Sequence, residues 1–248
     1  MRLPTNLPKI KRIAHVLLNT DIKPTELSPL VVKHPFTNSG VSAVRSEDGS
    51  LVMVDLINNQ EDLAAWRKQV GALIDSSETA FDIYLMVDKT YGLAFLKFAE
   101  PFLCDQDLGQ ILSSAWISSE APSSDPNMSR RNLVTMFRSV PHEYLMDEAE
   151  LHQLSELEDP VTIYRGVRSD KPRNIKNMSW TLDRDKAEWF AHRFDRDGTV
   201  YEAQIEKKHI LALFNGRGES EVVVDPKYLQ NLTVSMEQEQ QMGGMTWQ

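Results

Sequence analysis

The stretch GESEVVVDP, residues 218–226, combines a β-strand signal with two closely spaced carboxylates. Its three consecutive valines favour a strand because β-branched side chains suit a pleated surface. In a predicted strand over 219–224, side chains two residues apart share a face, so Glu219 and Glu221 are expected to project side by side. Like charges held this close repel unless a cation or a reaction uses them, although an isolated pair of this kind is more often a solvated strand end.

A second predicted strand, VTIYRGV at residues 161–167, carries a charged side chain on its apolar face. Alternation places Arg165 on the same face as Val161 and Ile163. Charge at an inward position is costly unless it is paired or binds a ligand. Arg165 is therefore a candidate functional residue.

A third segment, SWTLDRDKAEWFA, joins a short strand directly to a helix. The predicted strand over 177–182 presents Ser179 and Thr181 on one face, and Trp180 is expected to point outward from the other. Asp183 is expected to cap the helix that follows. The apolar spacing predicts a buried stripe on that helix, formed by Ala187, Phe190, Ala191 and Phe194.

Taken in chain order, the segments Tyr164-Arg165-Gly166, Ser179-Trp180-Thr181 and Glu219-Ser220-Glu221 resemble the motifs of a known enzyme family. The family is the ADP-ribosyltransferase fold of the arginine–serine–glutamate class, the group that contains bacterial ADP-ribosylating toxins. Its members carry an Arg on the first core strand, Ser-x-Ser/Thr on the second, and E-x-E or Q-x-E before a later strand. The segments GTVYEAQI and HILALFNGRGESEVVV are similar to phage and prophage members. The resemblance implies an α+β fold whose split β-sheet forms a catalytic core over 160–236.

The resemblance implies that the enzyme transfers ADP-ribose from NAD, its substrate, to a macromolecular acceptor. Glu221 is the implied catalytic carboxylate, which stabilises the positive charge that develops on the ribose as nicotinamide leaves. Glu219 is implied to orient or deprotonate the acceptor. In this family a Glu at that position goes with arginine acceptors, so a protein arginine is favoured over nucleic acid.

The resemblance also implies an NAD-binding set on the first two motif strands. Arg165 is expected to hold a phosphate and ribose of NAD, with its neighbours Tyr164 and Gly166 in the same site. Ser179 is expected to orient the catalytic carboxylate, and Thr181 to shape the nicotinamide pocket.

Other functions stay open in the sequence. The aromatic side chain that stacks on nicotinamide is not fixed by the motifs, and Tyr164 and Trp189 are candidates. Transfer to nucleic acid, an NAD glycohydrolase that uses water as acceptor, and a non-catalytic phage binding protein are alternatives. A toxic transferase would also need an inhibitor or antitoxin protein as a partner.

Composition excludes several other classes. With a net charge of −9 and a pI near 5.2, the chain has no global basic field for nucleic acid. A single cysteine, Cys104, excludes an intrachain disulfide and fits a reducing compartment. The six histidines lack metal-ligand spacing, and no apolar run reaches transmembrane length. We expect a cytoplasmic protein without a metal or a membrane partner.

Two domains are predicted. Residues 1–104 form an N-terminal α/β region, and residues 105–248 form the transferase-like domain with a helical lead-in over 105–158. Within the first region the patterns predict a hairpin of 41–44 with 51–54, a helix over 61–74, and strands at 81–87 and 91–98.

Overall fold

A computed structural model describes residues 2–171, 174–193, 196–216 and 218–235. It is a mixed α+β protein, as predicted. The chain divides into two compact units, Met1–Asp147 and Glu148–Gln248. This division differs from the predicted boundary at 104/105, because the helix that begins at Asp105 packs against two helices of the first unit.

The first unit is mainly helical and carries two small antiparallel sheets, β1-β2-β3 and β4-β5. Its helices are α1 (Leu7–Leu18), α2 (Gln60–Ser76), α3 (Ala80–Leu85), α4 (Gly92–Ala99), α5 (Asp105–Ser118) and α6 (Arg130–Ser139). Its strands are β1 (Lys23–Pro24), β2 (Val31–His34), β3 (Thr37–Ser39), β4 (Val41–Arg45) and β5 (Leu51–Asp55). The predicted hairpin and the predicted helix over 61–74 are confirmed by β4, β5 and α2.

Both strands predicted in the second half of this region are wrong. The segments 81–87 and 91–98 are the helices α3 and α4. Short apolar runs fit a buried helix as well as a strand, so periodicity does not separate them. A capping box at the start of α3, in which Thr79 and Asp82 exchange side chain to backbone hydrogen bonds, fixes the helical choice.

The core of the first unit includes a buried histidine, His34, whose side chain is 1% exposed. Its Nε2 donates to the carbonyl oxygen of Leu18 (3.2 Å), and its Nδ1 accepts from the backbone N–H of Phe36 (3.1 Å). The ring also meets Trp66 edge-on, with centroids 5.4 Å apart. Burial lowers the pKa of His34, and the nearby Arg67 lowers it further, against hydrogen bonds that raise it. The ring is therefore held neutral.

We expect His34 to make this unit less stable in mild acid. Because the folded pKa is lowered, the unfolded chain binds more protons below about pH 6.5, so stability is complete above that pH and is lost as pH falls. His34→Gln should flatten the dependence of urea unfolding on pH between 7 and 5. His152→Gln, at an exposed histidine, is the control. An unchanged pH dependence in His34→Gln would contradict the assignment.

The second unit is built on one six-stranded antiparallel sheet with strand order β11-β8-β6-β7-β10-β9. The strands are β6 (Val161–Arg168), β7 (Ser179–Thr181), β8 (Gly198–Ile205), β9 (Ile210–Phe214), β10 (Glu221–Val224) and β11 (Gln230–Val234). The helices are α7 (Glu148–Glu156) and α8 (Arg184–His192). Every residue of β9 and β10 is buried, so these two strands lie in the interior.

Helix α8 packs closely on β6 and β8. Its buried side chains, Ala187 and Ala191, form a small core with Val200, whereas Phe190 of the predicted stripe is half-buried. Phe194, the last residue of that predicted stripe, lies outside the described residues. The small side chains bring the helix backbone against the sheet at two glycines, Gly166 and Gly198.

Candidate functional site

The three motifs lie on three neighbouring strands, β6, β7 and β10. Thr181 is the Cα partner of both Tyr164 on β6 and Glu221 on β10. Ser179, two residues earlier, pairs with Val223. Directly paired residues of antiparallel strands project to the same face, so Tyr164, Thr181, Ser179 and Glu221 share one face of the sheet. The sheet thus brings together the Ser-x-Thr and E-x-E motifs.

Arg165 lies next to the point at which strands β6 and β7 stop pairing. Tyr164–Thr181 is the single residue pair recorded between these two strands. Arg165 follows Tyr164 and so leaves β6 from the opposite face, as the predicted alternation required. Its guanidinium then donates from Nε to the carbonyl oxygen of Asn174 (2.9 Å) and from Nη1 to the carbonyl oxygen of Ser179. Arg165 and Ser179 are therefore in contact through the Ser179 backbone.

Glu221 is the first residue of β10 and is 5% exposed. Its Cα partners are Thr181 on one side and Phe214 on the other, and three buried valines follow it. Burial of a carboxylate in such surroundings costs free energy unless the group is hydrogen-bonded, paired or used in a reaction. Low exposure also strengthens its electrostatic effect on any charge that develops beside it.

Glu219 does not belong to the strand, contrary to the prediction of a strand over 219–224. Ser220 has φ 42°, in the left-handed region that residues other than glycine rarely adopt. Strand alternation therefore does not extend from Glu221 back to Glu219, and the predicted side-by-side projection loses its basis. Glu219 lies half-buried in the turn before β10.

The hydroxyl of Thr181 fastens this turn to the start of α8. Thr181 Oγ1 donates to the carbonyl oxygen of Glu219 (2.6 Å) and accepts from the backbone N–H of Asp183 (3.0 Å). Asp183 is the N-cap of α8, as predicted. The sequence resemblance gave Thr181 a place in the nicotinamide pocket, whereas its hydroxyl is engaged with the turn that carries Glu219.

Tyr164 and Gly166 both face α8. Tyr164 packs against the core formed by Ala187, Ala191 and Val200. Burial and the carboxylate of Glu202 raise its pKa, while Arg184 acts in the opposite direction. A Cβ at Gly166 would lie 2.0 Å from the carbonyl oxygen of Ala187, so the absence of a side chain is what lets α8 approach.

The two tryptophans of this region are placed differently. Trp180 was expected to point outward but is 2% exposed, and its Nε1 donates to the carbonyl oxygen of Asn177 (2.8 Å). The short strand β7 is covered on this face too, which the alternation pattern alone did not indicate. Trp189 is 54% exposed and lies off the buried stripe, with the Arg193 guanidinium 5.1 Å from its ring centroid.

Sequence analysis missed two residues of α7 that anchor the turn before β10. The carboxylate of Glu150, which is 7% exposed, accepts from the backbone N–H of Asn215 (2.7 Å). Gln153 Oε1 accepts from Asn215 Nδ2 (2.7 Å). Their spacing of three residues places both side chains on one helix face, but it does not indicate that they bind Asn215.

No protein-family model, curated protein or solved structure matches this chain. Among the described residues, no group of three or more His, Cys, Asp or Glu could hold a metal ion. In the same part of the chain, no helix is long and apolar enough to cross a membrane.

We expect Gly166→Ala to destabilise the second unit because the new Cβ meets helix backbone, which cannot rotate away. Overpacking of this kind costs about 1–3 kcal/mol and sometimes more. Gly216→Ala is the matched control, since a Cβ there meets nothing within 4 Å. Urea or thermal unfolding of both variants measures the difference. Equal stability of Gly166→Ala and the wild type would show that α8 does not pack as described.

Proposed function

We propose that this protein is an ADP-ribosyltransferase of the arginine–serine–glutamate class, with NAD as its substrate. The observation that carries the proposal is the adjacency of the three motif strands. Strands β6, β7 and β10 are neighbours although 14 residues separate Arg165 from Ser179 and 42 separate Ser179 from Glu221. This adjacency puts Ser179 and Glu221 on one face of the sheet, and Arg165, which leaves β6 from the other face, reaches the backbone carbonyl of Ser179.

The side chains on these strands include the types of group that would bind NAD. Arg165 supplies the guanidinium expected for a phosphate, and Ser179 lies half-buried on the face of Glu221. Because Arg165 already donates to two backbone carbonyls, its proposed role combines two tasks. It holds the β6–β7 junction in shape, and it is proposed to supply positive charge to a phosphate of NAD.

The reaction balances with these residues and one acceptor. The bond between ribose C1′ and the nicotinamide nitrogen breaks, and its electron pair leaves with nicotinamide. A nucleophilic nitrogen of the acceptor forms the new bond to C1′ and releases one proton. Glu221 supplies fixed negative charge to the cationic ribose, which is the kind of preorganised electrostatic stabilisation that contributes most to catalysis. Glu219 accepts the proton from the acceptor.

The reaction itself is tested with NAD labelled in the adenylate part. Label that enters protein supports a protein acceptor, and label that enters RNA or DNA supports nucleic acid. Label recovered only as free ADP-ribose identifies a glycohydrolase. Absence of nicotinamide release under all these conditions, with a folded protein, rejects the proposal in favour of a non-catalytic binding protein.

We expect Glu221→Gln to keep the fold and to lower the rate of nicotinamide release by roughly 10²–10³, because it removes one preorganised charge without changing shape. Glu202→Gln makes the same chemical change on the same face of the sheet, with two strands between it and Glu221, and serves as the control. Rates are measured on protein with unaltered circular dichroism. A folded Glu221→Gln protein with near-normal turnover would remove Glu221 from the mechanism.

We expect Arg165→Ala to weaken NAD binding and Arg165→Lys to restore it only in part, because an ammonium group cannot reproduce a planar set of donors. Arg168→Ala, on the same strand but paired with Asp170, is the control. Calorimetric titration gives the affinity, and melting with and without NAD separates binding from stability. If Arg165→Ala melts earlier but keeps the full shift caused by NAD, Arg165 only supports the fold.

A further inference from the structure

The turn that carries Glu219 is fastened at both of its ends. At the first end, Asn215 is held by the side chains of Glu150 and Gln153 (2.7 Å each), and its own carbonyl oxygen accepts from Gly218 N–H (2.7 Å). At the second end, Thr181 Oγ1 donates to the carbonyl oxygen of Glu219. These contacts restrain the described residues at the two ends of the turn.

The second end of the turn depends on a buried hydroxyl. Thr181 is 5% exposed, and its hydroxyl both donates to Glu219 and accepts from Asp183 N–H. One residue further along, Leu182 N–H donates to the carbonyl oxygen of Ser220 (3.1 Å). These contacts keep Ser220 in its unfavourable left-handed conformation, which costs free energy that the surroundings must supply.

We propose that Thr181 is a positioning residue that sets where Glu219 meets the acceptor. This inference rests on the proposed function. A guanidinium acceptor must be oriented and must pass a proton to the Glu219 carboxylate as its nitrogen bonds to C1′ of the ribose. Water, the competing acceptor, needs little orientation. Displacement of Glu219 therefore affects transfer more than hydrolysis.

The conformation of the turn is what links the hydroxyl to the carboxylate. Without the hydroxyl, the carbonyl of Glu219 loses this donor and the N–H of Asp183 loses this acceptor, so the peptide before Ser220 is less restrained. Rotation there moves the Glu219 side chain, while Glu221 stays fixed in strand β10 between two paired strands. The backbone of Glu219 is thus held by Thr181, and the backbone of Glu221 is held by strand pairing.

The test compares three variants, two at Thr181 and one at Glu219. Thr181→Val removes the hydroxyl at nearly constant volume, Thr181→Ser keeps it, and Glu219→Ala removes the carboxylate itself. With agmatine as the guanidinium probe, transfer and NAD hydrolysis are measured on each protein. We expect Thr181→Val to lower the ratio of transfer to hydrolysis by about 10- to 100-fold, as misplacement of a reacting group does. Glu219→Ala should lower the same ratio, and Thr181→Ser should keep it near the wild-type value.

The controls separate positioning from loss of stability. Thr162→Val makes the same substitution on the neighbouring strand β6 and should leave the ratio unchanged. The KM for NAD should move little in Thr181→Val, whereas the kcat of transfer falls. If Thr181→Val does not fold, Thr181→Ala takes its place.

The measurements distinguish failure of the proposed function from failure of the positioning role of Thr181. If the wild-type protein releases no nicotinamide from NAD, the proposed function fails and the inference fails with it. If the wild-type protein is active but Thr181→Val lowers transfer and hydrolysis by the same factor, or changes neither, the function stands and the positioning role of Thr181 is wrong.

Discussion

The guanidinium of Arg165 donates hydrogen bonds where strand β7 no longer pairs with the backbone of β6. Backbone carbonyls removed from water need a donor, and the half-buried carbonyls of Ser179 and Asn174 both accept from this one side chain. Because that requirement is met, β7 can leave its neighbour after a single residue pair and still continue its ladder with β10. The position of Ser179 and Thr181 beside Glu221 depends on this separation.

A second constraint acts from the other side of β6. Gly166 and Gly198 let the backbone of α8 come within contact of the sheet, and the alanines of the helix complete the fit. The N-terminus of the same helix is held by Asp183, whose N–H also binds Thr181. Packing of the helix and the conformation of the turn before β10 are therefore linked through two adjacent residues of the chain.

Long regular patterns made most of the second unit predictable. The strand β6 was predicted with nearly correct ends, and the start of the helix after Asp183 was predicted correctly. Short elements were less predictable. The segments that became α3 and α4 are apolar on most positions, so they carry no period that separates helix from strand.

The site was predictable in its strands and not in its turns. Trp180 is buried because other parts of the fold cover the three-residue strand β7 on that face, and such packing is not visible in the sequence. The left-handed φ of Ser220 is likewise not visible in the sequence, because glycine is the residue that usually marks such a conformation. The division into compact units is likewise a tertiary property, since it places α5 with the helices that precede it.

Arg165 and Glu221 do not carry equal weight for function. An arginine that satisfies two backbone carbonyls would be useful to this fold in a protein without any activity, so its presence distinguishes poorly between an enzyme and a binding protein. Glu221 is different, because an apolar residue would suit a position that is followed by three buried valines and flanked by Phe214. Under the proposed function, that carboxylate supplies the negative charge that stabilises the cationic ribose. The enzymatic proposal therefore depends on Glu221 more than on the complete set of motifs.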